Sequence, residues 1–259
     1  MTQAQAGHSQ SPQLPATLVA RDVTKSFGAV EVLAGIDLWV GPGEVLALLG
    51  PSGCGKSTLL RVLAGFEQAD DGVVELAGRP VRGPSPERGM VAQAGTLFPW
   101  LSLSENLGYG PRQAGRNDVE RTVGDLVAAT GLSGFEDALP RELSGGMRQR
   151  AAIAQVLANR PPVLLLDEPF GALDAQTRVR MHEWFRSLLA ERPTTVVLVT
   201  HDVDEALLLG DRVGMLSARP CRVVETVDVD LGDQRGRDTL SDQRFVGLKA
   251  DVLGRVLSA

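Results

Sequence analysis

Long hydrophobic runs are missing from this sequence of 259 residues. The longest candidates are strand-length runs such as 163–166, far below the roughly 18 consecutive apolar residues that a membrane-spanning helix needs. Residues 1–15 are rich in Gln, Ser, Ala and Pro, and they lack the cationic start and apolar core of a signal peptide or membrane anchor. We therefore expect a soluble chain with a disordered leader over residues 1–16.

Cysteine and basic charge are also scarce. The two cysteines, Cys54 and Cys221, form neither a disulfide framework nor a metal-ligand spacing, which indicates a reducing cytoplasm. The formal net charge of −6 argues against a protein that mainly grips nucleic-acid backbone. With 43% hydrophobic residues, the chain can still bury a large core, as one domain or as a core plus a subdomain.

The most informative segment is a glycine-rich loop between the apolar run 45–49 and a predicted helix. Its glycines let the backbone wrap a polyphosphate with the N–H groups turned inward, Lys56 can reach the β- and γ-phosphates, and the Ser57 hydroxyl can hold Mg²⁺. The segment therefore predicts a P-loop that binds ATP or GTP, and the alternative is a glycine-rich turn that matches by chance. Its residues are Gly50, Pro51, Ser52, Gly53, Cys54, Gly55, Lys56, Ser57 and, as the helix continues, Thr58.

Two kinds of strand pattern surround this loop. Continuous apolar runs, each followed by a helical pattern, predict buried parallel strands. More strongly alternating runs predict an antiparallel sheet against that core. The continuous runs are 45–49, 163–166 and 196–199, and the alternating runs are 18–25, 36–40 and 73–76.

Residues 95–160 have a helical character. Asn117 followed by Glu120 predicts a capping box, and Gly131 stands where a C-cap belongs. The apolar stripe between them predicts a helix in an inserted helical unit. Its residues are Val119, Val123, Leu126 and Val127.

The C-terminal segment predicts one more helix. A charged stretch over 232–238 precedes Ser241, an N-cap candidate. We expect the apolar stripe that follows to pack on the domain, and binding to a partner is the alternative. Its residues are Phe245, Leu248, Val252 and Val256.

Two carboxylates, Asp167 and Glu168, follow the run 163–166 at the end of the strand where ligands of open α/β sheets bind. Asp167 can coordinate Mg²⁺ directly or through water. Glu168 points differently and can accept a proton from, or orient, the water that attacks a γ-phosphate. The alternative is a strand that ends in two solvated acids.

A second glycine-rich segment, Leu-Ser-Gly-Gly-Met-Arg-Gln-Arg over 143–150, decides the family. Ser144 caps a predicted helix, and with Gly145 and Gly146 it offers donors and a helix dipole to a phosphate. With this signature segment and the P-loop, the chain resembles the ATPase subunit of an ABC transporter. In that family the signature faces the P-loop of a second subunit, whereas Ser-Gly-Gly in isolation indicates only a helix N-cap.

The resemblance assigns roles to further positions. Gln93 matches the glutamine that contacts Mg²⁺ and water and signals to the membrane partner, and residues 172–174 match the loop that crosses the dimer interface. His201 matches the histidine that holds the γ-phosphate, and Phe27 matches the aromatic residue that stacks on adenine. The alternatives are a structural role for His201 and a core role for Phe27.

The resemblance extends from Leu18 to Ala259 and is strongest to ATPases of importers for aliphatic sulfonates, taurine and nitrate. The segments that carry this are 96–101, 166–174 and 199–206. One departure is Gln155, which replaces the usual arginine of an internal ion pair. Others are Ala94 and Gly95, less usual after Gln93.

The resemblance implies an α/β fold. Its parts are a P-loop NTPase core of mainly parallel sheet with flanking helices, an N-terminal antiparallel β subdomain and an inserted α-helical subdomain. The ABC ATPase domain would span 17–231, with the helical subdomain at about 95–160. A C-terminal linker and an amphipathic helix packed on the domain would span 232–259.

It also implies an ATP- and Mg²⁺-dependent hydrolase at the cytoplasmic face of the cell membrane. Its partners would be a second copy of itself in an ATP-sandwich dimer, integral-membrane permease subunits and, indirectly, a substrate-binding protein, but no nucleic acid. Each composite site would join two sets of residues: Lys56, Ser57, Gln93, Asp167, Glu168 and His201 of one subunit, and Ser144, Gly145 and Gly146 of the other.

We expect exposed Phe98, Trp100 and Leu101 to receive a permease helix, with ordinary subdomain core as the alternative. A rival function is an ATP-switched scaffold acting on DNA or ribosomes. Such proteins usually carry two fused cassettes or long coiled coils, which this chain lacks. ATP binding without turnover is a third possibility, which the presence of Glu168 and His201 disfavours.

Overall fold

The computed structural model describes residues 15–93, 96–232 and 235–258. The expected leader, apart from residues 15–16, lies outside the described residues, as do Ala94 and Gly95. None of the helices in the described ranges combines the length and the apolar character that a membrane span requires.

The first sheet is antiparallel, with the strand order β2-β1-β4-β5. Its strands confirm the three alternating runs, because their inward residues are buried and their outward residues are half-buried or exposed. The bounds are β1 Leu18–Phe27, β2 Val30–Val40, β4 Asp71–Leu76 and β5 Arg79–Pro80.

The second sheet has the order β10-β9-β3-β8-β7-β6 and is parallel except for its edge strand β10. The central strands β3, β7 and β8 are buried along their whole length, as the continuous apolar runs predict. Their carboxyl ends therefore lie at one edge of the sheet. The bounds are β3 Val45–Leu49, β6 Arg88–Val91, β7 Val163–Asp167, β8 Thr195–Thr200, β9 Arg212–Leu216 and β10 Val223–Asp228.

Helices flank this sheet, and the buried hydrophobic residues of the described ranges form two clusters. One cluster joins α1 and the antiparallel sheet to the parallel sheet. The other joins the parallel sheet to helices α2–α7. The bounds are α1 Lys56–Ala64, α2 Leu103–Gln113, α3 Val119–Ala129, α4 Gly145–Leu157, α5 Ala175–Glu191, α6 Val203–Leu209 and α7 Gln243–Ser258, with 3-10 turns at Pro140–Glu142 and Arg237–Ser241.

The start of α3 differs from the prediction. Asp118, not Asn117, is the N-cap, and its side chain caps no backbone N–H. The Asp118 carboxylate instead accepts hydrogen bonds from Arg116 at 2.8 and 2.9 Å and from Arg160 at 2.6 Å. These bonds, that of Arg116 foremost, hold the pKa of Asp118 well below its usual range. The C-cap is Thr130, one residue before the predicted Gly131, which has a left-handed φ of +62°.

The start of α7 is also later than predicted. The Ser241 hydroxyl donates to the Asp238 carbonyl at 2.9 Å within the 3-10 turn, so Ser241 does not cap the helix. The Asp242 carboxylate accepts from the Arg244 N–H at 2.8 Å and takes that place. The apolar stripe of α7 lies against the core. Phe245 and Val252 are buried there, and Leu248 and Val256 pack against it.

Candidate active site

The P-loop joins β3 to α1 through a backbone that only glycine adopts easily. Gly53 has a φ of +75° and Gly55 a φ of +129°. The first turn of α1 has neither a side-chain cap nor an acidic residue. Its free N–H groups and positive dipole end are therefore suited to a phosphate.

Lys56 begins this helix and is buried. Its Nζ donates to the carbonyls of Gly50 at 2.9 Å and Pro51 at 3.0 Å, and lies 3.3 Å from Oε1 of Glu168. Because the ammonium is buried, little water screens its charge, and its attraction for an anion is stronger than it would be at the surface. The lysine is thus held at the loop that would wrap a polyphosphate.

An open cleft of about 670 Å³ lies over the P-loop. Phe27 forms part of its wall with 49% of its surface exposed, and Nζ of Lys25 lies 5.4 Å from its ring centroid. This exposure excludes the core role that was the alternative for Phe27. The lining residues are Phe27, Val30, Val32, Ser52, Gly53, Gly55, Lys56, Ser57, Thr58, Gln93, Glu168 and Arg219.

Glu168 is the centre of the polar cluster beside this cleft. Its Oε2 accepts from Nε2 of Gln93 at 3.2 Å and lies 3.3 Å from Nδ1 of His201. Its backbone has a φ of +46°, a conformation that costs a non-glycine residue of order 1–3 kcal/mol. Such strain is typical of residues whose direction matters for function. The structure therefore brings together the predicted Gln93, Glu168, His201 and Lys56.

Asp167 ends β7 beside Ser57 and is buried. Burial raises the pKa of Asp167, while a hydrogen bond with the Ser57 side chain opposes that rise. A hydroxyl and a carboxylate side by side suit Mg²⁺, which takes few protein oxygens and keeps waters and phosphate oxygens as its other ligands. The residues present thus fit the expected metal.

The signature segment lies apart from this cleft. Ser144 is the N-cap of α4, and its hydroxyl accepts from the Met147 N–H at 3.3 Å. Among the described residues, the lining of the P-loop cleft includes none of Ser144, Gly145 and Gly146. This helix start has no acidic residue in its first turn, so it remains suited to an anion from outside the chain.

Sequence reasoning missed two neighbours of the P-loop. Nη2 of Arg219 donates to the Gly53 carbonyl at 2.6 Å, and the residue lines the cleft. Cys221 hydrogen-bonds to Cys54, and this bond is the main cause that lowers the pKa of Cys54 to about 6. Both thiols are buried. No sequence pattern links these positions, because they meet only through the fold.

The fold and site define a P-loop nucleotide-binding protein. The family model described as ABC transporter matches residues 33–171. This chain belongs to the ABC transporter family, as an ATP-binding and ATP-hydrolysing subunit.

Curated relatives cover most of the chain. The Jannaschia sp. (strain CCS1) taurine import ATP-binding protein TauB is 42% identical over 92% of this chain and 93% of its own. The Roseobacter denitrificans (strain OCh 114) protein of the same name is 47% identical, over 88% and 87%. The Bacillus subtilis (strain 168) aliphatic sulfonates import ATP-binding protein SsuB is 45% identical, over 80% and 81%.

Solved structures give the same result. The dimeric bacterial ABC transporter cassette MJ0796 matches with a TM-score of 0.73 and 28% identity, over 82% of this chain and 98% of that one. A post-hydrolysis dimer of MJ0796 bound to ADP and phosphate matches with a TM-score of 0.70. These matches confirm the predicted α/β P-loop NTPase fold.

Two buried titratable groups, Glu205 and His182, lie near Asp202 in the loop that carries His201. Glu205 is buried, and burial, followed by the charge of Asp202, raises its pKa from 4.5 to about 8. His182 is also buried, and burial lowers its pKa from 6.5 to about 4. Both side chains are therefore largely neutral at pH 7, in opposite ways.

Glu205→Gln is expected to reduce the loss of stability that accompanies a rise in pH towards about 8. Between pH 4.5 and 8, folded Glu205 keeps a proton that the unfolded chain releases, so the free energy of unfolding falls as pH rises. Glutamine removes this dependence because it does not ionise. Denaturant unfolding from about pH 6.5 to 9, above the window of His182, measures the slope. Glu191→Gln, at an exposed position, is the control, and equal slopes in wild type and Glu205→Gln would contradict the prediction.

Proposed function

We propose that this chain energises the import of a small anion, such as an aliphatic sulfonate, taurine or nitrate, through a separate permease. The observation that supports this most is its likeness, at 42–47% identity, to relatives named for taurine and aliphatic sulfonate import. We place the chain at the cytoplasmic face of the membrane, bound to the permease. None of the relatives described above is named for DNA or ribosomes, so the scaffold alternative has no support.

In the proposed reaction, Glu168 orients the attacking water and accepts its proton as the bond to the γ-phosphate breaks. Lys56 compensates phosphate charge, His201 holds the γ-phosphate, and Phe27 stacks on adenine. Ser57, Gln93 and Asp167 would hold Mg²⁺, which when bound would supply positive charge to the phosphate oxygens. The convergence of Gln93 and His201 on the Glu168 carboxylate supports these roles.

We further propose that each site is shared between two copies of the chain. Ser144, Gly145 and Gly146 would donate to the ATP on the P-loop of the partner subunit. Their position outside their own cleft supports this, as does the likeness to a dimeric cassette. Two ATP molecules would close the dimer, and hydrolysis would weaken these contacts and let it reopen.

The permease contact is proposed around Trp100, which exposes 72% of its surface. Phe98 lies beneath it, with ring centroids 5.7 Å from Trp100 and 4.8 Å from Tyr109. The expectation that Phe98 and Leu101 are also exposed is wrong, since both are half-buried. Phe98 supports the Trp100 loop instead, because its ring packs against the indole.

The Asn106 side chain holds this loop through hydrogen bonds to its backbone. Its Nδ2 donates to the carbonyls of Phe98 at 3.1 Å and Leu101 at 2.9 Å, and its Oδ1 accepts from the Phe98 N–H at 2.7 Å. Nε2 of Gln155 also donates to this Oδ1, at 3.2 Å. Gln155 thus makes a neutral hydrogen bond where an arginine would carry charge. The rigid loop suits a docking residue, because little conformational entropy is lost on binding.

Trp100→Ala is expected to uncouple the subunit from its permease. In proteoliposomes with the partner permease and its substrate-binding protein, ATP-driven uptake of taurine, sulfonates or nitrate should fall about tenfold or more, because an exposed aromatic anchor is lost. Basal ATPase activity without permease should not change. Trp39→Ala, an exposed tryptophan on β2, is the matched control. Full uptake with Trp100→Ala would remove this surface from the account, and no uptake of any of these anions by wild type would refute the cargo class.

A further inference from the structure

We propose that Arg178 is a positioning residue that ties loop 172–174 to the loop carrying His201. Arg178 would thereby connect the signature segment, residues 143–150, to the catalytic cluster around Glu168 in the same chain. This inference rests on the roles proposed above for His201 and for the shared site.

Arg178 lies in the first turns of α5 and bonds two loops at once. Its Nη1 donates to Oδ2 of Asp202 at 2.8 Å, and its Nη2 donates to the Leu173 carbonyl at 3.0 Å. The side chains of Arg178 and Asp202 are only 28% and 27% exposed. Their pairing is therefore screened less than a surface ion pair, and the planar fork fixes the distance between the loops.

We call the two bonds of Arg178, to Asp202 and to the Leu173 carbonyl, the clamp. Asp202 connects the clamp to the catalytic cluster. Its Oδ1 accepts from the N–H groups of Asp204 at 2.9 Å and Glu205 at 3.2 Å and so caps α6. The residue directly before it is His201, whose Nδ1 lies 3.3 Å from Oε2 of Glu168. Because both Asp202 oxygens are engaged, the backbone that presents His201 is anchored on one side by α6 and on the other by Arg178.

Leu173 joins the clamp to the signature. A Cβ built on Gly145 would lie 3.7 Å from Cδ2 of Leu173, and one on Gly146 would lie 2.9 Å from Cγ2 of Thr177. The start of α4 therefore packs directly on the start of α5. A shift of the signature, when it meets the partner's nucleotide, would move Leu173 and so pull on Arg178.

The charged groups around Arg178 and Asp202 make Arg178 hard to replace. His182, with a pKa of about 4, is mostly neutral at pH 7 and so supplies no positive charge to Asp202, and Glu205, with a pKa of about 8, is mostly protonated and adds little negative charge. The charges of Asp202 and Glu168 both raise the pKa of Glu205, so negative charge already gathers around this buried side chain. Loss of Arg178 would leave Asp202 as a half-buried anion near other carboxyl groups, and the His201 loop would move away from its position.

The experiment compares Arg178→Gln and Asp202→Asn, singly and together, in the full-length chain. Asparagine keeps the cap on α6 while it removes the charge. Each single variant should lower kcat by about tenfold and bring the Hill coefficient for ATP towards one, with ATP affinity of the monomer changed less than about threefold. The double variant should be no worse than the poorer single variant, because both remove the same link.

Two further variants separate positioning from general stability. Arg178→Lys keeps the charge without the fork and should give an intermediate kcat. Arg180→Gln, exposed on the same helix, should behave as wild type. Additive losses in the double variant, unchanged kcat, or a loss of nucleotide affinity and Tm equal to that of kcat would overturn the proposal.

His201→Ala, measured alongside, distinguishes this proposal from the function on which it rests. If His201→Ala loses turnover and Arg178→Gln and Asp202→Asn keep it, the clamp alone is wrong. If His201→Ala itself keeps normal turnover, the proposed role of His201 and the clamp are both wrong. If all of these variants lose turnover while ATP binding is kept, both are supported.

Discussion

Glu168→Gln is expected to lower ATP turnover by roughly two or more orders of magnitude while ATP binding is kept. The amide cannot accept the proton of the attacking water. It is nearly the same size as the carboxylate, so the strained backbone and the contacts to Gln93 and His201 need not rearrange. Single-turnover hydrolysis measures the chemical step and nucleotide titration measures binding.

The same variant should accumulate an ATP-bound dimer, because closure is intact and the reaction that reopens it is blocked. Size-exclusion chromatography with and without ATP detects this dimer. Glu191→Gln, the same change at an exposed position, should hydrolyse ATP at the wild-type rate. Near-normal turnover by Glu168→Gln would remove this residue from its catalytic role.

Ser144→Arg is expected to abolish the closed dimer and hydrolysis while ATP binding to the monomer remains. The hydroxyl at the start of α4 is lost, and a long side chain replaces it at the surface proposed to meet the partner's nucleotide. Equilibrium binding of ATP at low protein concentration, where monomers dominate, should stay within about threefold of wild type, because Ser144 lies outside its own cleft.

Ser102→Arg is a matched control for this variant. Ser102 is also a helix N-cap, whose hydroxyl accepts from the Glu105 N–H at 3.2 Å. Both changes remove an N-cap worth about 1 kcal/mol, so equal losses of hydrolysis would indicate destabilisation and not a shared site. Loss of monomer binding by Ser144→Arg would instead place the signature in its own nucleotide site.

The sequence predicted much of this site because parallel strands bring their carboxyl ends to one edge. The P-loop follows β3, Asp167 and Glu168 end β7, and His201 follows β8. These three strands are neighbours in the sheet, although their sequence order gives no direct sign of it. Recognition of the family supplied Gln93 and Phe27, for which the local sequence has no strong pattern.

What could not be predicted depends on contacts between distant segments. Asn117 has the residue type of an N-cap, yet Asp118 takes that place while Arg160, distant in sequence, binds its carboxylate. Arg219 reaches the P-loop and Arg178 reaches Asp202 only through the tertiary fold. Single arginines carry no pattern that reveals such partners.

Hydrolysis by mixed dimers tests the central claim most directly, namely that each site is shared. One subunit keeps an intact P-loop, its partner carries Lys56→Ala, and a tag isolates the mixed pair. A single competent site remains, built from the intact P-loop and the opposing signature. Ser144→Arg on the Lys56→Ala subunit should silence this site, whereas Ser144→Arg on the subunit with the intact P-loop should have a much smaller effect. If loss of hydrolysis instead follows the chain that owns the intact P-loop, the signature acts within one chain and the shared site is wrong.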